Sequence, residues 1–284
     1  MSSSRPPSPS SSSAGADPEF GRAVEHDQRR RTFTSLYQRA SADIIVTRKV
    51  RIPGGENGAL LGHRFVVATD MHARDDWFPE ASVHELVRHI NAVDDVNAVV
   101  LVGDFVGNDA SAIDWSAGIY ADINAPTYAT LGNHDHWTDP VRIERALTAS
   151  GIDVLTNRNI ELAPGLVLAG IDSCWGGTAN PELALAGKDP DAKTVVLGHE
   201  PYLATKHNEF LHIAGHTHSG QVRLPIPVLG NVLTRLYMPR YSQPFPRRFY
   251  NRGNGSYVYT SAGVGYSTIN WRFATPPEIV IIDI

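Results

Sequence analysis

The 284-residue sequence predicts an α/β layered fold, and two observations support this prediction. Strand-like and helix-like segments alternate along the chain up to about residue 200, which is the order that places helices against a sheet. Several short runs of β-branched residues are also followed at once by a break that carries Asp, Asn or His. In such folds the chemistry lies beyond the carboxyl ends of the strands, so these breaks indicate where a site would form.

The predicted elements follow one another in a regular order. The runs DIIVTRKVRI and LLGHRFVVATD flank the turn cluster PGGENG, which predicts a β-hairpin. Residues 79–93 have the apolar spacing of an amphipathic helix that begins after a proline. A second helix is predicted for DPVRIERALTASG, where Gly151 ends it. Buried strands are predicted for the runs NAVVLVGD, PTYATLGN and KTVVLGH.

Composition limits the kinds of protein that this sequence can encode. The chain is 42% hydrophobic and 19% charged, which suffices for one large domain or two small ones. A formal net charge of -5 argues against a general nucleic-acid binder, so no nucleic-acid partner is expected. Cys174 is the single cysteine, which excludes an intrachain disulfide and a cysteine-rich zinc site. No obligate protein partner is evident from the sequence.

The N-terminal segment is predicted to be disordered. Residues 1–30 begin with MSSSRPPSPSSSS, a composition with too little apolar area to offset the entropy of ordering. The run RRRTF resembles a twin-arginine export signal but lacks an apolar stretch behind it. No apolar run of about 18 residues occurs, so we expect no signal peptide and no membrane-spanning helix. The expected location is cytoplasmic or peripheral at a membrane.

Five short blocks carry side chains suited to binding metal ions. A lone H-x-H pair is more often made of surface or core histidines. Here, however, five blocks share one pattern, a short run of β-branched residues followed by a break that carries Asp, Asn or His. The blocks are VVATDMHAR (66–74), VVLVGDFVGN (99–108), YATLGNHDHW (128–137), TVVLGHEP (194–201) and IAGHTHSGQ (213–221). Glycine precedes Asp104, Asn133, His199 and His216, and each glycine is expected to permit a sharp turn into a crowded site.

The donor set of these blocks predicts two divalent metal ions. The candidate ligands are Asp70, His72, Asp104, Asn133, His199, His216 and His218. Such a cluster is costly to desolvate without cations, and mixed oxygen and nitrogen ligands suit Mn, Fe or Zn better than Mg or Ca. Seven ligands are too many for one tetrahedral ion, whereas two ions with a shared bridge can clamp the oxygens of a phosphoryl displacement. We favour Mn among the three metals.

The five blocks, in this order, resemble the D-x-H, G-D, G-N-H-[DE], G-H and G-H-x-H signature of the calcineurin-like metallophosphoesterase superfamily. The resemblance implies a catalytic domain over residues 43–284, folded as a four-layer αββα sandwich of two mixed sheets flanked by helices. It also implies a bridging Asp104 and a metal-activated water as the nucleophile. One ion would be held by Asp70, His72 and His218, and the other by Asn133, His199 and His216. His134 would contact the phosphate and assist the leaving group.

One position departs from the family pattern. Many members carry a second aspartate three residues after the bridging one, where it orients the catalytic histidine. This chain has Gly107 there. Three alternatives follow: Asn108 takes over the orienting role, Asp135 takes it over, or His134 is a poorer acid. The predicted metal ligands are unaffected by the departure.

A narrower resemblance concerns the substrate. The segments AGHTHSGQVRLP and PPEIVIIDI look like the bacterial branch of envelope-associated phosphodiesterases, which usually have glycine in place of Ser219. That branch includes enzymes that act on lipid-linked or cell-wall phosphoesters. The resemblance therefore points to a lipid-linked or other anionic amphiphilic phosphoester.

A basic segment near the C-terminus agrees in part with such a substrate. No Asp or Glu occurs between Glu209 and Glu278, whereas seven arginines do. Residues 221–254 are predicted to form a basic, aromatic flap that contacts the substrate or an anionic membrane surface, with Arg247 and Arg248 as the candidate substrate-binding residues. An ordinary arm that packs its aromatic residues on the core is an equal alternative.

The sequence thus predicts a metal-dependent phosphoester hydrolase. A phosphodiester is favoured as the substrate. One alternative is a phosphomonoesterase that acts on nucleotides or phosphoproteins, and another is a catalytically silent scaffold with the same fold. Trp137 and Trp175 follow motif-bearing loops and are candidates for the wall of a substrate pocket, although packing explains them equally well.

Overall fold

The structure, a computed structural model, describes residues 37–39, 45–55, 58–222 and 241–284. The predicted disordered tail, residues 1–30, lies outside the described residues, as does the central part of the predicted flap, residues 223–240. Among the residues described, no helix has the length and apolar character needed to cross a membrane.

Two six-stranded mixed sheets form the centre of the fold. The strands of the first sheet, in spatial order, are β2 (Val46–Arg51), β14 (Glu278–Asp283), β3 (Arg64–Thr69), β4 (Ala98–Val102), β5 (Thr127–Thr130) and β6 (Asp153–Val154). Those of the second are β11 (Arg248–Gly253), β12 (Ser256–Thr260), β10 (Leu211–Ala214), β9 (Lys193–Gly198), β8 (Leu166–Ile171) and β7 (Arg158–Ala163). A separate antiparallel pair joins β1 (Tyr37–Arg39) to β13 (Trp271–Phe273).

Helices cover the outer faces of both sheets. They are α1 (Glu80–Asn91), α2 (Ile113–Tyr120), α3 (Asn133–Thr138), α4 (Pro140–Ala149) and α5 (Pro181–Ala184), with 3₁₀ turns at Ala110–Ala112, Pro201–Lys206 and His218–Gly220. The helices α1, α2 and α4 pack over the first sheet, while the second is covered by α5 and the turn at Pro201–Lys206. The predicted four-layer αββα sandwich is confirmed, with a thin outer layer on the second sheet.

Helix signals in the sequence account for the two predicted helices. In α1, Val83, Leu86, Val87 and Ile90 are buried, which is the spacing of a single apolar face. Each such side chain contributes about 1.5–3 kcal/mol when fully buried. In α4, Pro140 fills the first helical position, and Asp139 accepts a hydrogen bond from the Arg142 amide at 3.0 Å. Gly151 follows with φ +82, a conformation that glycine adopts without steric cost.

Buried strands separate two layers of core. In β3, Val66 and Ala68 contact the helix-side cluster, while Phe65 and Val67 contact the cluster between the sheets. This alternation is the ordinary period-two geometry of a strand whose two faces are both covered. A Leu86→Ala change would remove a fully buried side chain from the helix-side cluster and would cost about 2–5 kcal/mol.

The predicted hairpin between the first two strand-like runs is wrong. The strand β14 lies between β2 and β3, parallel to the former and antiparallel to the latter. Residues 279–282 of β14 form a continuous buried apolar run, which needs neighbours on both sides. The turn cluster therefore connects strands that are second neighbours in the sheet, a pairing that local sequence does not reveal.

The topology brings the predicted site residues to one edge of the molecule. In the first sheet β3, β4 and β5 are parallel, and in the second β9 and β10 are parallel. Each predicted metal ligand follows the carboxyl end of one of these strands. The two sheets are also in contact through β4 and β5 on one side and β9 on the other. Their carboxyl ends therefore face a common site.

Candidate metal centre

The structure brings all seven predicted ligands together in one buried cluster. Each of these side chains is at most 3% exposed. They form two groups on either side of Asp104. Potential ligand atoms lie within 4.8 Å of one another in three overlapping sets, which are Asp70, His72 and His218, then Asp104, His199 and His216, and then His72, Asp104 and His134. The described residues thus contain a compact set of oxygen and nitrogen donors with no thiolate among them.

The first group contains Asp70, His72 and His218. His72 Nε2 lies 3.0 Å from His218 Nε2, and His218 Nε2 lies 3.4 Å from Asp70 Oδ1. The Asp70 carboxylate is fixed by the His216 amide, which donates to Oδ1 at 2.8 Å. We call these three residues the His218 group.

The second group contains Asn133, His199 and His216. Asn133 Oδ1 lies 2.9 Å from His216 Nδ1. His199 donates from Nδ1 to the Val102 carbonyl at 2.9 Å, and this bond directs its Nε2 atom into the cluster. We call these three residues the His199 group.

Asp104 stands between the two groups. Its Oδ2 atom is 3.1 Å from His199 Nε2 and 3.5 Å from His72 Nε2. Its Oδ1 atom accepts a hydrogen bond from the His134 amide at 2.8 Å. One carboxylate oxygen therefore faces both groups, which is the geometry of a bridging ligand.

Backbone strain is concentrated in the cluster. Five of the seven predicted ligands have positive φ angles: Asp70, His72, Asp104, His216 and His218, with values from 46 to 66. A non-glycine residue held in that region costs about 1–3 kcal/mol and persists where the surrounding structure enforces it. Ser219, where the family resemblance has glycine, shares this geometry with φ 51. Strain at so many adjacent positions is typical of a functional site.

The glycines before the proposed ligands meet the prediction only in part. Gly103 has φ +73, as expected for a sharp turn before Asp104, whereas Gly132 and Gly215 do not have positive φ. A Cβ atom at Gly132 would lie 2.3 Å from Asp104 Oδ1, and one at Gly215 would lie 2.4 Å from Asp70 Oδ2. These positions lack a side chain because a carboxylate occupies that space.

Burial and neighbouring charges shift the pKa values of the cluster in different directions. Burial lowers the pKa of His72 and of His216 to about 3, so both rings are neutral at pH 7 and carry a lone pair. The pKa of Asp70 is raised to about 6, mainly by burial and against the opposing effect of His199. Burial also acts to raise the pKa of Asp104, but the neighbouring His199 outweighs it and holds that pKa well below the ordinary value. Burial lowers the pKa of His199 itself, but the Asp104 carboxylate outweighs burial and holds that pKa well above the ordinary value.

The residues present fit divalent cations. The Nε2 atom of His216 is buried without a hydrogen-bond partner. A buried nitrogen without a partner costs free energy, and a cation at that position would remove the cost. Imidazole nitrogens combined with carboxylate and amide oxygens suit Mn, Fe and Zn.

His134 lies beside the cluster at the start of α3. Its Nδ1 atom donates to the Gly107 carbonyl at 2.9 Å, and its ring contacts that of His72 edge-on at a centroid distance of 4.6 Å. The orienting group is therefore a main-chain carbonyl. The prediction that the side chain of Asn108 or Asp135 would orient this histidine is not met in the structure.

Asp135 has a structural task instead. Its buried carboxylate accepts hydrogen bonds from the amides of Gly132, Asp104, Phe105 and Val106 at 2.8–3.3 Å. These bonds tie the loop after β4 to the first turn of α3. Asp135 thus fixes the position of Asp104, and its carboxylate is engaged with backbone amides. Asn108 lines the cavity described next.

A cavity of about 320 Å³ opens above the cluster. Its lining includes His134, Asn108, Tyr266 and the arginine Arg74. Three tryptophans also line it, namely Trp77, Trp137 and Trp175. Trp137 and Trp175 pack edge to face at a centroid distance of 4.9 Å and are 51% and 38% exposed. The two tryptophans singled out in the sequence therefore form part of the cavity wall.

Arg247 and Arg248 lie elsewhere. They line a different, small pocket together with Arg48 and Glu278, and neither belongs to the lining of the cavity above the ligand cluster. Arg248 begins β11, whose pairing with β12 sets its position. The geometry gives no support to substrate contact by these two arginines at the cavity.

Two arginines that matter were not recognised as site residues. Arg272 is 1% exposed, donates to the carbonyls of Ala262, Gly265 and Thr275, and places Nη2 3.1 Å from His218 Nδ1. In the sequence it is one of seven similar arginines, and no local pattern separates it. Arg74 lines the cavity, and its position two residues after His72 could have indicated this.

The fold and the cluster together define a metal-dependent phosphoesterase. The chain belongs to the calcineurin-like phosphoesterase family, whose model matches residues 63–220. The predicted superfamily resemblance and the predicted enzyme class are thereby confirmed.

The chain is similar to several known proteins. The chain is 28% identical to the uncharacterized metallophosphoesterase YkuE of Bacillus subtilis (strain 168), over 78% of this chain and 79% of that protein. It is 29% identical to the phosphodiesterase YaeI of Escherichia coli (strain K12), over 66% and 69%. It is also 29% identical to a transmembrane protein with metallophosphoesterase domain of Bos taurus, over 68% and 46%. A solved structure, TT1561 of Thermus thermophilus, is similar with a TM-score of 0.48 and 12% identity, over 71% and 90%.

Proposed function

We propose that this metal-dependent phosphoester hydrolase cleaves a phosphodiester at a centre of two divalent cations. The observation that carries the proposal is the position of Asp104, whose Oδ2 atom faces both the His199 group and the His218 group. One carboxylate shared between two donor sets is what two ions about 3.5–4 Å apart require. The proposed ligands are therefore the seven residues of the cluster, with Mn as the favoured metal.

The side chains of the cluster have separate tasks in this proposal. Divalent cations, when bound, polarise a phosphoryl oxygen and activate a water molecule at neutral pH. His134, held by the Gly107 carbonyl, presents its other ring nitrogen to the cavity and delivers a proton to the leaving oxygen. Asp135 keeps Asp104 in place through the four amides that its carboxylate accepts.

The wall of the cavity supports a diester with an apolar part. Three tryptophans stand beside the polar cluster, and two of them are substantially exposed. Exposed aromatic rings next to a charged site suit a ligand that is anionic at one end and apolar at the other. The relative YaeI is named a phosphodiesterase, which agrees with this class of substrate. A lipid-linked or similar amphiphilic phosphoester is the proposed natural substrate.

Peripheral contact with an anionic membrane belongs to the same proposal. It rests on the acid-free, arginine-rich sequence that ends at Glu278. The double change of Arg247 and Arg248 to Ser should weaken binding to phosphatidylglycerol vesicles while hydrolysis of small chromogenic esters is retained. Equal vesicle binding by both proteins would exclude these two residues from a membrane contact.

The function is tested by metal analysis and turnover on one preparation. We expect about two Mn ions per chain and faster hydrolysis of bis-p-nitrophenyl phosphate than of p-nitrophenyl phosphate. Preference for the monoester would favour the phosphomonoesterase. Two bound ions with neither ester cleaved would favour a silent scaffold, and less than one ion per chain would overturn the dinuclear centre.

A further inference from the structure

The cavity above the ligand cluster contains one arginine with no assigned task in the proposed reaction. Among the described residues that line this cavity, Arg74 is the one Lys or Arg. A phosphoester brings negative charge into the cavity, and a cation in its wall is the natural counter-charge. Arg74 follows His72 by two residues, so it is attached directly to the loop that carries a proposed ligand.

The backbone of Arg74 is held firmly. Its amide donates to the Phe78 carbonyl at 3.1 Å and its carbonyl accepts from the Phe78 amide at 3.3 Å. The neighbouring Ala73 forms a bridge with Val106 in the loop after β4. A side chain on such an anchor presents its charge at a defined place in the cavity wall.

The guanidinium group of Arg74 is oriented by two neighbours. It lies 4.1 Å above the ring centroid of Trp77, in a cation-π contact. It also makes a paired contact with Asp76, from Nε at 2.6 Å and from Nη2 at 3.1 Å. The two N–H groups that engage Asp76 are the pair with which arginine binds two oxygens of a phosphate.

The contact with Asp76 is exchangeable. The Asp76 side chain is 58% exposed and the Arg74 side chain 28%. An ion pair in such surroundings contributes about 0.2–1 kcal/mol, because water screens it. A phosphoryl group bound in the cavity would be a stronger hydrogen-bond acceptor than the exposed Asp76 carboxylate, and breaking the weak ion pair would cost little free energy.

Gly107 makes room for this side chain. A Cβ atom at position 107 would lie 3.1 Å from Arg74 Cδ, so the aliphatic stem of Arg74 runs across the space that a side chain there would fill. The Gly107 carbonyl is also the group that accepts from His134 Nδ1 at 2.9 Å. The glycine therefore links the position of Arg74 to that of the proposed proton donor.

We propose that Arg74 is the phosphate-binding cation of this site. On binding, the guanidinium releases Asp76 and donates to the non-bridging oxygens of the phosphoryl group, while Trp77 keeps its plane in position. Gly107 is the residue that admits the arginine stem. The proposal rests on the proposed phosphoesterase function and assigns one specificity-determining contact within it.

The first test compares Arg74→Met with the wild type in the Mn-loaded protein. Methionine keeps an aliphatic stem over Gly107 and Trp77, so metal content and melting temperature should be unchanged. We expect the inhibition constant of inorganic phosphate and the KM for bis-p-nitrophenyl phosphate to rise by about 10- to 100-fold, the value of a hydrogen bond to a charged group. Calorimetric titration with phosphate gives the same comparison without turnover.

The second test removes the charge of Asp76, which competes with phosphate for the Arg74 guanidinium. Asp76→Asn should tighten phosphate binding by up to about fivefold, because the arginine no longer has to leave an ion pair. Arg88→Met and Glu85→Gln are matched controls, since Arg88 and Glu85 form the same kind of paired contact on α1 at 2.7 and 2.6 Å. A purely structural role of Arg74 would leave phosphate affinity unaltered in Asp76→Asn.

The outcomes separate this inference from the proposed function. If the wild type binds phosphate and cleaves esters but Arg74→Met and Asp76→Asn leave both constants unchanged, Arg74 is not the phosphate contact and the function stands. If the wild type neither binds phosphate nor cleaves any ester, both proposals fail together. Opposite shifts in the two variants would support the assignment.

Discussion

The two halves of the proposed metal centre, the His199 group and the His218 group, have opposite surroundings. His199 donates from Nδ1 to the Val102 carbonyl, whereas His218 Nδ1 faces the guanidinium of Arg272 at 3.1 Å. A carbonyl behind the ring leaves the lone pair on the far nitrogen and increases its basicity. A cation behind the ring does the reverse, because it repels a metal ion on the other side.

The comparison shows that similar donor sets need not bind equally. Burial lowers the pKa of Arg272 to about 10, so the guanidinium is still charged at neutral pH. Its other hydrogen bonds run to main-chain carbonyls, so it brings a net positive charge close to the His218 group. We expect the His199 group to hold its ion more tightly than the His218 group.

The largest effect should come from the residue that both halves share. Asp104→Asn removes the charge that faces both His72 and His199, so we expect loss of both ions and a fall in turnover of more than about 100-fold. Elemental analysis and hydrolysis of the bis-ester measure the two effects. Asp122→Asn, at an exposed position, is the matched control. Full activity in Asp104→Asn would exclude a bridging role.

His134 should separate chemistry from metal binding. His134→Asn should lower kcat by about 100- to 10,000-fold, the usual contribution of general acid catalysis, because the proposed proton donor is removed. Metal content should equal that of the wild type, because no proposed ligand is removed. The check is kcat together with ions per chain, and a variant that loses an ion along with activity would show that His134 acts as a ligand.

The sequence predicted which polar residues the structure brings together, because the relevant signal is local. Each proposed ligand lies within four residues of the end of a buried strand, so the strand and the polar residue are read from a few adjacent letters. The place of β14 could not be read in this way, since its partners β2 and β3 lie more than 200 residues away in the chain. Residue type also did not reveal that the Asp135 carboxylate turns toward backbone amides instead of the His134 ring.

Substitutions of Arg272 test whether its charge causes the weaker metal binding expected for the His218 group. Arg272→Met removes the charge behind His218, so the weaker of two Mn dissociation constants should tighten by about tenfold, the scale of a change behind a metal ligand. Arg272→Lys keeps the charge and should keep the weaker constant. Calorimetric Mn titration of the two variants and the wild type decides the matter. An equal response to Met and Lys would attribute the difference to packing and not to charge.

A second pair of histidines, outside the proposed metal centre, serves as a comparison for the pair His72 and His218. We expect the smallest of the effects from this second pair. His207 Nε2 lies 3.0 Å from His212 Nδ1, the same separation as between His72 and His218, but neither residue belongs to the ligand cluster. Burial lowers the pKa of His207 from the ordinary 6.5 to about 4 and that of His212 well below its ordinary value. In the folded protein both rings therefore stay neutral over a range where the unfolded chain binds protons.

This reference pair should produce a pH-dependent loss of stability that metal does not reverse. Because the unfolded state binds more protons below pH 6.5, stability is complete above that pH and falls as the pH drops toward about 4. His207→Gln should reduce this fall in melting temperature by a few degrees, whereas the exposed His84→Gln should not. Added Mn should raise the melting temperature at pH 7 in wild type and His207→Gln alike, since neither His207 nor His212 is among the proposed ligands. If His207→Gln abolished the Mn effect, the two histidine pairs would be coupled, and the metal centre would extend beyond the seven residues proposed here.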